Sequence, residues 1–206
     1  GDMDGRITAR LTAARTLLFE RFDGEVRGRL RMAEQSAKEA VARRVRDEME
    51  ALGLTDVAVD AAGNVVGVVR GRGEAPPVML NCHLDVVAEG DHAEWEVPPF
   101  SGEVRDGFLH GRGSMDIKGP LALQTYAAAA MAGTAPGDVI VAHTVLEERG
   151  GLGMKLLLES RSLHPRAVII GEATHGDVCI GHRGRAEETR AGSHVPQRME
   201  RGQRHD

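Results

Sequence analysis

Residues 78–85 read VMLNCHLD, an apolar run of strand length that ends in a histidine and an aspartate two positions apart. The same form recurs as VIVAHTVLEE at 139–148 and AVIIGE at 167–172, each closing on glutamate. Short apolar runs bounded by turn residues and separated by helix-sized segments predict an α/β protein with a mixed, mostly parallel sheet covered by helices. Ligands of such sheets bind in the crevice outside the carboxyl ends of the strands. The polar residues that directly follow the runs, His83, Asp85, Glu147, Glu148 and Glu172, are therefore the first candidates for a site.

Working outward, helices are predicted at about 118–131 and 152–160, between the runs. Toward the N-terminus, Ile7, Leu11, Ala14, Leu17, Leu18 and Phe22 recur at helical spacing, as do Met32, Ala33, Ala37, Ala40, Val41, Val45, Met49 and Leu52, with Gly53 as a stop. Strands are expected at 55–59 and 64–69. A loop at 88–102 carrying Trp95 and Phe100 leads to a hairpin at 103–110 that turns at Asp106 and Gly107. A last strand is expected at 178–181. From Gly184 the chain loses apolar periodicity, and a divergent, irregular tail is expected over 188–206.

Composition narrows the function. A chain of 206 residues with 41% hydrophobic and 28% charged residues has the make-up of an ordinary globular protein. The formal charge of −5 gives no electrostatic reason to expect nucleic acid or an anionic membrane as partner, which leaves small-molecule chemistry. No apolar stretch approaches the roughly 20 residues needed to cross a bilayer, and no h-region of a secretory signal stands near the start. Cys82 and Cys179 sit in apolar runs without a C-x-x-C neighbour and read as two reduced, buried thiols of a cytoplasmic protein. The arginines between 27 and 46 are interleaved with acids and read as a solvated helix face.

The polar clusters suit a metal. Imidazole is a ready zinc ligand, and a ligating histidine usually donates its other ring N–H to a carboxylate, although an H-x-D pair is also a common structural pairing. Asp116 lies in GRGSMDIKG, whose glycines permit a tight turn before a helix and whose order is not that of a P-loop. A carboxylate fixed there can bridge two cations held about 3.5 to 4 Å apart. Glu147 and Glu148 are adjacent and point different ways, so one can bind metal while the other takes a proton; a solvated strand end is the plain alternative. Glu172 could equally cap a loop with Thr174. His143 falls inside a strand and reads as a packed core residue.

Taken in order, HLDVV, the W-x-x-P-P-F run at 95–100, SGEVRDGFLHGRG, GSMDIKG, LEERGGLG, IIGEAT and GHRGRAE at 181–187 resemble the zinc-dependent aminoacylase and carboxypeptidase family. That family includes acetylornithine deacetylase, succinyl-diaminopimelate desuccinylase and glutamate carboxypeptidase. The looser matches VRDEMEALGL and DAAGNVVG extend the resemblance over most of residues 36–187. It implies a metal-dependent hydrolase that cleaves an amide bond of an N-acyl amino acid or small peptide with a zinc-activated water. His83, Asp116 and Glu172 would bind one zinc and Asp116 and Glu148 a second, with Co2+ or Mn2+ as substitutes. Asp85 would orient His83, Glu147 would be general base and acid, and the peptide after Asp116 would be cis.

The same resemblance implies that something is missing. Family members carry a lid domain inserted after the GHRGRAE segment and resume the catalytic domain beyond it, where a histidine completes the second zinc site. The expectation is a partial catalytic domain over 1–187 followed by a divergent tail, with His194 a weak counterpart of the lid histidine. Frameshifted reading of the start of the lid would explain the tail. A catalytically impaired zinc-binding fragment is then the alternative to an active enzyme, and apolar surface left uncovered would favour association between copies. A binuclear phosphoesterase would use similar ligands.

Overall fold

The computed structural model describes residues 38–181. The helix expected at Ile7–Phe22, the start of the second helix and the tail over 188–206 lie outside these residues. Of these, residues 38–173 belong to one compact unit and residues 174–181 to a second.

The first described helix, α1 (38–51), places Ala42, Val45 and Met49 on one face, at the spacing of successive helical turns. Ala42 and Met49 are buried in the main apolar core, with Val41, Val45 and Leu52 packed against it. Its other face carries the ion pairs Arg43–Glu39, Arg44–Glu48 and Arg46–Asp47, the solvated charge face expected from the mixed signs. Gly53 ends the helix in the left-handed region (φ 83), with Leu54 N–H returning to the Met49 carbonyl at 3.0 Å.

Five strands, β1 (Thr55–Val59), β2 (Val65–Val69), β3 (Val78–His83), β6 (Val139–Thr144) and β7 (Ala167–Ile170), form one sheet in the order β1-β2-β6-β3-β7. A separate hairpin, β4 (Glu103–Arg105) with β5 (Phe108–His110), turns at Asp106 (φ 53) and Gly107 (φ 82) as its sequence predicts. In the large sheet β6, β3 and β7 pair in parallel, whereas β2 is antiparallel to both of its neighbours. Four strands thus share one direction and only β2 is reversed, so the sheet is mixed and mostly parallel by strand direction, although its pairings divide evenly.

The alternation of β6 decides how the helices stack. Val139 and Val141 face the core shared with α1 and α2 (Gly119–Ala130), whose Leu121 and Ala128 are buried there. Ile140 and Ala142 face the other side, against Leu157 and Met154 of α3 (Leu152–Ser160). All six residues of β6 are buried, as a strand covered on both faces should be. The edge strand β7 is exposed throughout.

Two expectations are corrected. Residues 178–181 form no strand: Val178 and Ile180 are fully or almost fully exposed, because an apolar run becomes a strand only when a neighbour takes up its backbone groups. Cys179 lies in that stretch and is exposed, whereas Cys82 is buried in β3. Burial in an apolar setting pushes the Cys82 thiol up to about 12.

Candidate metal centre

His83 is the last residue of β3 and only 2% exposed. Its Nδ1 lies 2.9 Å from the backbone carbonyl of Asp85. A carbonyl only accepts, so Nδ1 carries the proton of the neutral ring and Nε2 presents a lone pair. That lone pair faces acids: Asp116 Oδ1 at 3.0 Å, Glu147 Oε2 at 3.8 Å and Glu172 Oε1 at 3.8 Å. A lone pair directed at carboxylates is unfavourable unless a cation or a proton stands between them, which makes this donor set fit a metal.

Each acid is delivered by a local feature of the chain. Asp116 lies at a kink within Ser114–Lys118, where it (φ −115, ψ 89) and Ile117 (φ −141, ψ 16) leave helical geometry; the segment is entered through left-handed Gly113 and anchored by the fully buried Ile117. The Asp116–Ile117 peptide is cis, as the resemblance implied. Glu147 and Glu148 follow β6 after Leu146, which takes a left-handed conformation (φ 58) and turns the chain back over the strand ends. Glu172 follows β7 through Gly171, where a Cβ would stand 2.5 Å from Cys82 Sγ, so only glycine lets the chain pass this close to β3. Gly171 N–H donates to the Asn81 carbonyl at 2.9 Å, fixing Glu172 beside His83.

His83, Asp85, Asp116, Glu147, Glu148 and Glu172 therefore meet at one end of the sheet. Donor atoms of His83, Asp116 and Glu172 lie within 4.8 Å of one another, and so do those of His83, Glu147 and Glu148. The first group is the triad expected for one zinc. The Glu148 carboxyl is raised first by burial and then by the negative charge of Asp116. Burial likewise raises Glu172, with Asp116, Glu147 and Glu148 adding to it.

The Asp85 carboxylate does less for His83 than expected. Its Oδ1 is 3.7 Å from Nδ1, farther than the Asp85 carbonyl, and its two oxygens accept from the Glu147 N–H (3.2 Å) and the Glu148 N–H (3.3 Å). Sequence reasoning passed over Asn64 altogether. Its fully buried side chain accepts from Val145 N–H at 2.9 Å and donates to the Gly153 carbonyl at 3.0 Å and to Asp60 at 2.8 Å, tying the β1–β2 turn to the segment that bears Glu147. The signal was D-x-x-G-N at 60–64, a turn stabilised by three N–H bonds to Asp60 Oδ1.

The remaining candidates stay outside. His143 is buried, with Nε2 2.8 Å from Thr125 Oγ1, and burial pushes its pKa down to about 3, so it is a neutral core residue. Trp95 donates to the Glu89 carbonyl at 2.9 Å beneath the Arg112 guanidinium and belongs to its own loop. His194 lies outside the described residues.

Comparison with known proteins agrees with this architecture. Residues 79–198 match the sequence profile of peptidase family M20/M25/M40. The chain is 32% identical over 160 residues to the uncharacterized protein YgeY of Escherichia coli, covering 75% of this chain and 39% of that protein. It is 37% identical over 145 residues to succinyl-diaminopimelate desuccinylase of Ruegeria pomeroyi, covering 64% of this chain and 38% of the enzyme. The fold is shared with the M20 metallo-carboxypeptidase Sso-CP2 of Sulfolobus solfataricus (TM-score 0.55, 21% identity, 64% of this chain and 32% of that one). It is also shared with human carnosine dipeptidase 1 (TM-score 0.56, 21% identity, 66% and 33%). The chain thus spans about two fifths of the length of these sequence relatives. With the profile running across the strand ends that carry His83, Asp116, Glu147, Glu148 and Glu172, the chain belongs to peptidase family M20/M25/M40.

Proposed function

We propose that the chain holds the metal centre of a hydrolase that cleaves an amide bond in an N-acyl amino acid or small peptide. The observation that carries this reading is the His83 Nε2 lone pair set among Asp116, Glu147 and Glu172. His83, Asp116 and Glu172 would hold one zinc, and Asp116 and Glu148 a second, with Co2+ or Mn2+ able to substitute. When bound, zinc polarises a carbonyl and brings the pKa of a water near neutrality. Glu147, half exposed and 3.8 Å from His83 Nε2, is the residue to accept that proton and return it to the leaving amine. The desuccinylase named among the relatives suggests N-succinyl amino acids as substrates, and the carboxypeptidase and dipeptidase sharing the fold suggest short peptides. Two unpaired cysteines suit a cytoplasmic setting.

One observation favours an impaired zinc-binding fragment. His83 is the only imidazole in either donor group among the described residues, and the second group uses Glu147 itself. A metal held that way takes up Glu147, the carboxylate assigned to proton transfer. The test is hydrolysis of N-succinyl and N-acetyl amino acids, dipeptides and a phosphate monoester by the zinc-loaded chain and its Glu147→Gln variant. Amide cleavage lost in the variant supports the hydrolase; zinc binding without turnover supports the fragment, and phosphate release alone overturns both.

A further inference from the structure

We propose that Asp85 is the positioning residue of the Glu147–Glu148 turn, and that the tautomer of His83 is set by the Asp85 backbone rather than by its carboxylate. The two functions of this residue are separated in space. Its carbonyl takes the His83 Nδ1 proton at 2.9 Å. Its carboxylate oxygens each take one N–H of a successive pair, Glu147 at 3.2 Å and Glu148 at 3.3 Å.

Successive backbone N–H groups that converge on one anion form a nest, a conformation produced by alternating backbone handedness. Leu146, directly before the pair, is left-handed (φ 58). Return bonds from the Gly150 and Gly151 N–H groups to the Glu147 carbonyl close the turn from the other side. The Asp85 side chain is only 13% exposed, so few waters could replace it if it were removed. The half-buried Lys118 ammonium, which interacts with the Asp85 carboxylate, keeps a counter-charge beside it.

The arrangement fixes the Cα positions of two adjacent glutamates whose donor atoms come within 4.8 Å of each other and of a ring nitrogen of His83. Asp85 then governs the second donor set and the proton-transfer carboxylate, and leaves the first donor set to His83, Asp116 and Glu172. The part of this inference that concerns zinc rests on the proposed metal centre; the part that concerns the hydrogen bonds does not.

The experiment uses the whole chain, labelled with 15N, as wild type and as Asp85→Ala. In metal-free protein, amide exchange at Glu147 and Glu148 should accelerate about tenfold or more in the variant, as expected for two lost hydrogen bonds to a charged acceptor. The His83 ring nitrogens should keep the Nδ1–H tautomer. With Zn2+ added, the second equivalent should weaken by about 10- to 100-fold while the first changes by less than about threefold. Unchanged exchange at both glutamates, or loss of the Nδ1–H tautomer, would overturn the proposal. Should Asp85→Ala fail to fold, Asp85→Asn keeps one acceptor oxygen and must release one of the two amides with the tautomer intact. Absence of zinc binding in the wild type would sink the metal centre, while exchange and tautomer still decide the role of Asp85.

Discussion

His83 Nε2 stands 3.0 Å from Asp116 Oδ1, across the end of β3 from a turn more than thirty residues along the chain. With the opposite ring nitrogen occupied by the Asp85 carbonyl, this contact brings a lone pair of the neutral ring against a carboxylate and is favourable only with a cation or a proton between them. A metal bound there would relieve the repulsion among these groups.

Zinc should stabilise the chain. A ligand present at 100 times its Kd adds about 2.7 kcal/mol to folding, which for a protein of this size raises Tm by roughly 5–10 °C. Thermal unfolding with zinc and after chelation measures this, and Asp116→Ala should show no zinc-dependent shift.

The acid cluster also predicts a pH dependence in the metal-free chain. Glu148 and Glu172 are raised in the folded state, by burial first and neighbouring carboxylates next. A raised folded carboxyl binds more protons than its unfolded counterpart, so its stabilising contribution is present at low pH and lost as pH rises through the folded value. The Glu148→Gln/Glu172→Gln variant removes that loss. Its denaturation midpoint should exceed the wild type's at pH 7 and approach it near pH 4; the opposite order would refute the assignment.

The two cysteines should react at very different rates. Cys179 is exposed, whereas Cys82 is buried with its thiol pushed up to about 12. Thiolate, not thiol, attacks a disulfide reagent. Native protein should therefore release one equivalent of chromophore rapidly and the second only on unfolding.

Asn64→Ala should destabilise the chain by about 3 kcal/mol, because it strands the buried Val145 N–H and Gly153 carbonyl together. Urea denaturation measures the loss. Metal affinity should weaken with it, since the same segment leads directly into Leu146 and Glu147.

Strand ends and donor types were legible because apolar alternation and polar punctuation are local. The bounds of α3 and the turn of the β4–β5 hairpin follow from such patterns, and so does the meeting of His83, Asp116, Glu147, Glu148 and Glu172 at one sheet edge. Val178–Ile180 has the same apolar character as Val168–Ile170, yet only the latter finds the backbone of β3, a fact of distant pairing rather than of composition. The role of Asp85 was hidden for a similar reason. H-x-D spacing places a carboxylate near an imidazole, but the left-handed turn at Leu146, sixty residues on, brings two better donors to it. Asn64 escaped because a turn-forming asparagine and one that ties two distant segments look alike in sequence.

The most direct measurement is the zinc content of the folded, purified chain after dialysis, with Asp116→Ala beside it. At least one zinc per chain, lost in the variant, is the predicted result; a second would mean that Asp116 and Glu148 complete a pair of sites. A folded wild-type chain that retains no zinc would contradict the metal centre built on His83.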